Sequence, residues 1–398
     1  MVHRYNSCDD RPEVADRTTN FLNMTISNYF KWPSWRSESF KIRGNMTKCP
    51  GLICVRYFAI RILFVIYLGL VVFALFNRCN HCVVTPPESL MDKSKVKDWT
   101  DNMCKPDLQT LGVHYEVVQD QAATFEEISA ANPQVKSGGK WSPSNCKPWQ
   151  KVALILCYRD RVWPLQLFLQ RIHPMLQAQM LDYQIFLIEQ SGTGLFNRGK
   201  LFNVGYLEAM KQGQFDCIVF HDVDLIPEDD RNLYMCNDHA RHLVTAADHH
   251  RFHLRYYNYA GGVVAVSSHN YKRINGYANI YWGWGNEDDD FSSRMTASNM
   301  LLTRPPTAIG RYHSVPHMKI SRFSKSGNSL FLGWRRRWKS DGLNDPIGMA
   351  YTVLEIKEMP LFTRVLVDVG GPPDNMDDIR RTHPEDVSLW WFLTYFYP

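Results

Sequence analysis

The stretch Cys217 to Pro227 (CIVFHDVDLIP) constrains the fold most, because it is an apolar run that ends in two carboxylates one residue apart. Its length and composition predict a buried strand delivering acid groups to its own C-terminal edge. In an α/β sheet, ligands sit in the crevice beyond the carboxyl ends of the strands, so Asp222 and Asp224 are expected to point into a site. Residues i and i+2 of a strand share a face. Two negative charges held that close call for a cation, and hard oxygen ligands suit Mn²⁺, with Mg²⁺ as the alternative. A lone Asp-x-Asp serves equally well as a solvated turn. A second acidic cluster, Glu287 to Asp290 behind Trp282-Gly283-Trp284-Gly285-Asn286, favours the site, since a solvated acidic face would leave two indoles exposed beside it.

Strand and helix alternate upstream of this run. Val152 to Cys157 reads as a strand, Leu165 to Met180 as a helix, Tyr183 to Glu189 as a strand, Lys200 to Lys211 as a helix and Phe215 to Phe220 as the strand of the acid pair. This pattern predicts an α/β fold with a mostly parallel, twisted sheet flanked by helices. The loops at its carboxyl edge carry Arg159, Arg161, Phe196 and Arg198. Arginines placed there suit a diphosphate, and Phe196 suits stacking on a base. The whole chain, with 45 basic and 40 acidic residues, is too mildly charged to indicate nucleic acid, and its basic residues do not interleave regularly with aromatics.

The N-terminal quarter has another character. Residues 1–51 are polar, irregular and read as a tail. Ile62 to Phe76 carries no charge, and extension back to Leu52 gives the ~20 residues that a bilayer core requires, with Arg56 and Arg61 snorkelling. A transmembrane signal-anchor over 52–76 is therefore expected, against a buried core helix. Arg43, Lys48, Arg56 and Arg61 precede it and Arg78, Lys93 and Lys95 follow, a small bias toward a cytoplasmic N-terminus. Asn23-Met24-Thr25 and Asn45-Met46-Thr47 lie before the span and would be unused in a cytosolic tail. Residues 77–103, charged and Pro-containing, suit a stem. From Cys104 onward, Cys104, Cys146, Cys157, Cys217 and Cys236 would pair in part in an oxidising lumen and not in the cytosol. No zinc pattern appears among them, and Cys79-x-x-Cys82 stands alone in the stem.

Several long motifs stand in order along 104–370: Phe196 to Gly205 (FNRGKLFNVG), Asp222 to Pro227 (DVDLIP), Ala260 to Val263 (AGGV), Tyr281 to Gly285 (YWGWG) with Glu287 to Asp290, and Ser340 to Asn344 (SDGLN). By these the chain resembles the β-1,4-galactosyltransferases, inverting GT-A enzymes anchored as type II proteins of the Golgi membrane with a lumenal catalytic domain, here 104–371. The resemblance implies Asp224 and His317 as metal ligands and Asp222 facing the donor ribose. It adds Val223, Tyr259 and Trp284 to the donor contacts and implies Asp288 as catalytic base. Gly262, Glu287, Asp288 and Asp289 would hold the acceptor, and Gly283 and Gly285 would hinge a loop carrying Trp284 over the donor. Disulfides Cys104–Cys146 and Cys217–Cys236 are likewise implied. The implied reaction transfers galactose from UDP-galactose in β-1,4 linkage to a terminal sugar, foremost N-acetylglucosamine, on glycoprotein or glycolipid.

The departures from the pattern bear on specificity. Ser314 stands where many relatives have a methionine ligand, with His313 close by. Cys157 replaces a proline at the end of the first strand. Asn286 replaces a glycine in the Trp/Gly turn and is expected to keep it, since Asn tolerates positive φ. Arg335-Arg336-Arg337 occupies the region that forms an N-acetyl pocket in relatives. Tyr259 is expected to leave room at the donor's C2 only for a hydroxyl, but the small Ala260 beside it keeps UDP-N-acetylgalactosamine open as the donor. A non-catalytic lectin-like membrane protein is the alternative of another class. The aromatic segment within 372–398 has no assigned role.

Overall fold

The computed structural model describes residues 61–64, 66–70, 83–91, 100–109, 111, 115–116, 122–316 and 330–374. The chain divides into two compact units, Met1–His81 and Cys82–Pro398. In the first, residues 61–64 and 66–70 are helical and exposed. Among the described residues no helix is long and apolar enough to cross a membrane, and the remainder of 52–76 lies outside them, as do His317 and residues 375–398.

The second unit is built on one large sheet. In chain order its strands and helices are β1 (Val83–Val84), α1 (Phe125–Ala131), β2 (Lys140–Trp141), β3 (Lys151–Tyr158), α2 (Val162–Ala178), β4 (Asp182–Gln190), α3 (Arg198–Gln212), β5 (Cys217–Asp222), β6 (Leu225–Pro227), β7 (Ala240–His242), β8 (Ala246–Ala247), β9 (Val263–Ser267), α4 (Ser268–Arg273), α5 (Glu287–Ala297), β10 (Leu302–Arg304), β11 (Arg311–Ser314), α6 (Trp334–Arg337), β12 (Thr352–Glu358) and β13 (Thr363–Asp368). The large sheet runs β1-β10-β7-β9-β5-β3-β4-β13-β12, with β2 beside β4. Its centre, β5-β3-β4-β13, is parallel. The antiparallel pairings of β9 with β5 and β7, of β12 with β13 and of β2 with β4 make it a mixed sheet, less parallel than the strand-helix alternation predicts.

Period-2 alternation in β3 explains why the sheet is covered on both faces. Val152, Leu154, Leu156 and Tyr158 pack with Leu165, Phe168 and Ile172 of α2. Ala153, Ile155 and Cys157 pack on the other face with Leu201, Phe202 and Val204 of α3. A strand buried on both faces has to be apolar throughout, which is why the run shows no polar alternation. α3 approaches closely at Gly205, where a Cβ would come within 2.4 Å of Ile155 Cγ2.

From β3 the chain passes through α2 to β4 on one side, then through α3 to β5 on the other side of β3. The strand order therefore reverses at the β3/β5 boundary, and a crevice opens at their carboxyl ends. The register pairs Cys157 with Asp222, which puts the loop that follows β3, and with it Arg161, beside the acid pair. β6 leads into a small sheet, β6-β11-β8, whose register pairs Ser314 with Leu225.

Two disulfides, Cys104–Cys146 and Cys217–Cys236, form as the family resemblance implies. Cys157 is free and buried. Cys217 starts β5, so its bond ties the central strand, at the end away from the acids, to the segment leading to β7. Opening this loop of sequence separation 19 should cost about 3 kcal/mol through the freedom returned to the unfolded chain. Cys217→Ser should show that loss in denaturant unfolding under non-reducing conditions, and a midpoint equal to wild type would contradict it.

Candidate active site

The carboxyl edge of β3 and β5 collects four acids and two arginines. Arg161 Nη1 donates to Asp224 Oδ2 at 2.6 Å. Arg198, the first residue of α3, donates from Nε to Asp222 Oδ1 at 2.7 Å and from Nη1 to Asp288 Oδ1 at 2.5 Å, and its Nη1 lies 3.4 Å from Glu287 Oε1. Its guanidinium rests over the Phe202 ring. Asn197 fixes the start of that helix: its side chain accepts from the Lys200 N–H and donates to the Asn279 carbonyl. Arg159 points elsewhere, donating to the Gly194 carbonyl at 2.7 Å and lying over Phe196. Phe196 in turn accepts on its carbonyl from Gly283 N–H, joining the two loops.

Four carboxylates facing two guanidiniums leave two formal negative charges uncompensated when all are ionised. Burial raises the pKa of Asp222, opposed by Arg198 and reinforced by Asp224. Burial likewise raises Glu287, and pushes Asp288 up to about 8 despite Arg198. Glu287 Oε2 is buried without a hydrogen-bond partner. A hard divalent cation fits this oxygen-rich, negatively charged edge. Val315 N–H donates to the Asp224 carbonyl at 2.8 Å, so the β11 exit runs beside the acid pair. Ser314 there gives its N–H to Asp248, and His313 Nδ1 pairs with the same carboxylate at 2.7 Å. His313 is thus held by Asp248.

The second acidic cluster is the first turn of α5, and its four members separate by role. Gly283, Gly285 and Asn286 all have positive φ, at 88°, 111° and 73°, so Asn286 keeps the turn as expected. Glu287 and Asp288 face Arg198. Asp289 accepts from Tyr256 Oη at 2.6 Å. Asp290 turns inward, where Tyr281 Oη and Arg294 Nε donate to it and both ion-pair side chains are fully buried. Trp284 is 58 % exposed. The expectation that both indoles avoid solvent is thus corrected, because the positive-φ glycines on either side carry Trp284 outward.

Tyr259 lies on a glycine platform. A Cβ at Gly261 would meet its hydroxyl at 2.4 Å and its ring atoms at 2.5–2.6 Å, and a Cβ at Gly262 would meet Leu225 Cδ1 at 2.6 Å. The Gly262 carbonyl accepts from Asp222 N–H at 3.0 Å, so this loop enters β9 directly beside the acid pair. His242 meets the Tyr259 ring edge-on and its Nε2 bonds the Gly261 carbonyl, while Arg304 donates to the Tyr257 and Tyr259 carbonyls. Burial, then the neighbouring Asp288 and Asp222 charges, raise the Tyr259 pKa. Val223 is buried under the edge in the core. Sequence reasoning missed Tyr256, His242, Arg304 and Asn197. The tyrosine-rich run Tyr256-Tyr257-x-Tyr259 was a signal for the first, whereas His242 and Arg304 meet the loop only through tertiary contact.

This arrangement places acids and arginines at the topological switch of an α/β sheet, where ligands of such folds bind. The family described as the N-terminal region of glycosyl transferase group 7 matches residues 104–237, and that described as the N-terminal domain of galactosyltransferase matches 241–318. Beta-1,4-galactosyltransferase 4 of Cricetulus griseus is 43% identical over 247 residues, covering 62% of this chain and 71% of that protein. Beta-1,4-galactosyltransferase 2 of Homo sapiens is 43% identical over 257 residues, covering 63% and 67%. The catalytic domain of Drosophila beta1,4galactosyltransferase 7, solved with xylobiose, aligns at 27% identity and TM-score 0.48 over 57% of this chain and 96% of that one. The chain belongs to the β-1,4-galactosyltransferase family and is a galactosyltransferase enzyme.

The sorting of the acids is testable. Asp290→Asn strips the charge partner from buried Arg294 and should cost roughly 3–5 kcal/mol in denaturant unfolding. Asp288→Asn, at the polar crevice, should leave the unfolding midpoint near wild type or raise it. Equal destabilisation by both would contradict the division.

Proposed function

We propose that the chain is a metal-dependent inverting enzyme of GT-A type that transfers galactose from UDP-galactose in β-1,4 linkage to a terminal sugar such as N-acetylglucosamine on a glycoprotein or glycolipid. The observation that carries this reading is the bridge from Arg198 to Asp222 and Asp288, which couples the proposed donor side of the site to the proposed base. Asp288 takes the proton of the acceptor hydroxyl as that oxygen attacks the anomeric carbon. The bond to the diphosphate breaks on the opposite face, and UDP leaves with the bonding pair, inverting the centre. Mn²⁺, or Mg²⁺, held by Asp224 with His317, would supply positive charge to the departing diphosphate. Arg161 and Arg198 would contribute to the same charge balance, with Arg159 and Phe196 lining the nucleotide side. Glu287 and Asp289 would accept hydrogen bonds from acceptor hydroxyls.

We further propose a Golgi location, with 1–51 cytoplasmic, 52–76 as the anchor, 77–103 as the stem and 104–371 as the lumenal domain. The two disulfides support an oxidising compartment. The non-catalytic lectin-like alternative is set aside, because the chain belongs to an enzyme family and Asp222, Asp224 and Asp288 stand together with their arginines.

Asp224→Asn should abolish transfer and Mn²⁺-dependent UDP binding, since it removes a formal charge from the proposed cation site. Calorimetric titration of UDP with and without Mn²⁺ checks this, and wild-type metal affinity in the variant would refute the assignment.

Tyr259 supports galactose over N-acetylgalactosamine. Its ring lies on Gly261 and against His242, which opposes the swing that the small Ala260 would otherwise allow. Wild type should therefore show the higher kcat/KM with UDP-galactose on an N-acetylglucosamine-terminated acceptor. Tyr259→Leu should raise transfer from UDP-N-acetylgalactosamine by relieving a clash. A wild-type preference for UDP-N-acetylgalactosamine would show that Tyr259 is not the gate.

A further inference from the structure

Arg161 is placed oddly for a residue whose only task is to bind a donor. It is the N-cap of α2, and its side chain makes no capping bond. Among the described residues its ionic partner is Asp224, at 2.6 Å, and the two side chains are 30% and 11% exposed. The guanidinium therefore sits on the carboxylate to which the metal is assigned. A divalent ion bound through that carboxylate brings a second positive centre to the same oxygens, so it and the guanidinium cannot share them at equal strength. Arg198 cannot relieve the crowding in Arg161's stead, since it already faces Asp222, Glu287 and Asp288.

We propose that Arg161 is a placeholder cation: it neutralises Asp224 when no metal is bound, and metal binding releases it to the donor diphosphate at the same sheet edge. The inference rests on the reading of Asp224 as a metal ligand. Metal and diphosphate then bind as linked events: the ion frees the arginine that the diphosphate uses, and the diphosphate holds away the arginine that competes with the ion. Linkage makes the effect reciprocal, so UDP must strengthen Mn²⁺ binding by the same factor by which Mn²⁺ strengthens UDP binding. Part of that factor belongs to Arg161 and is separable from direct contact between metal and phosphate.

The test measures Mn²⁺ binding by electron paramagnetic resonance of the free ion, on the whole lumenal protein, without nucleotide and with saturating UDP. Arg161→Gln should bind Mn²⁺ alone roughly 5-fold or more tighter than wild type and gain correspondingly less from UDP, a change at the lower end of ordinary coupling. Wild-type or weaker Mn²⁺ affinity in Arg161→Gln without nucleotide would overturn the proposal. A measurement on the unaltered protein stands independently of how the variant folds. Phenylglyoxal modification of Arg161, followed by peptide mass spectrometry, should rise on adding Mn²⁺ alone and fall on adding UDP with it, and reactivity indifferent to Mn²⁺ would overturn the proposal. Asp224→Asn separates the two levels. If that variant keeps wild-type Mn²⁺ affinity, the assignment of the ligand fails. If it loses Mn²⁺ while Arg161→Gln matches wild type, only the placeholder role fails.

Discussion

The contact on which the site depends is the one Arg198 makes with acids from two distant parts of the chain. Asp222 ends β5 and Asp288 lies in the first turn of α5, yet one guanidinium, 14% exposed, donates to both. Removing that cation would leave Asp222, Glu287 and Asp288 facing one another in a poorly solvated crevice, where like charges repel strongly. Burial raises the pKa of all three against the pull of Arg198, and the four carboxylates of the edge outnumber its two guanidiniums. That imbalance leaves the edge able to take further positive charge.

The surrounding architecture delivers these groups to one place. The strand order reverses at β3/β5, so the loops after both strands face the same crevice. Antiparallel β9 brings the Tyr259–Gly262 loop back beside Asp222. Asn197 and Gln190 hold the start of α3, and with it the backbone of Arg198. Each of these elements is buried and hydrogen-bonded, which is what a site needs if its polar groups are to stay aimed while solvent is excluded.

Much of this was legible in the sequence. The five central strands and helices stand within a few residues of where apolar runs and helical spacing placed them, because a doubly covered strand leaves an unbroken apolar signature. Asp222, Asp224 and the arginines after the strands were readable because an α/β sheet presents its ligands at strand ends. The different duties of Glu287 to Asp290 were not readable. Four adjacent carboxylates look alike in sequence, and only the helix's rotation turns Asp290 into the core toward Arg294 while Asp288 faces Arg198. The fixing of His313 by Asp248 was not readable either, since it comes from a tertiary contact with no local pattern, whereas the outward turn of Trp284 follows from the positive φ of Gly283 and Gly285, which the sequence shows only as glycines. The disulfide pairing came from family resemblance, because the five cysteines from Cys104 onward allow many connectivities.

The account's central claim is that the acid edge of β5 is built to receive a divalent cation next to the donor. Crystals of the protein grown with Mn²⁺ and UDP, with diffraction recorded at the manganese edge, test it most directly. The account predicts an anomalous peak in coordinating contact with the Asp224 carboxylate, beside the diphosphate and with Arg161 turned away from that carboxylate. A nucleotide bound with no manganese at Asp224, or manganese held only at another place on the protein, would contradict it.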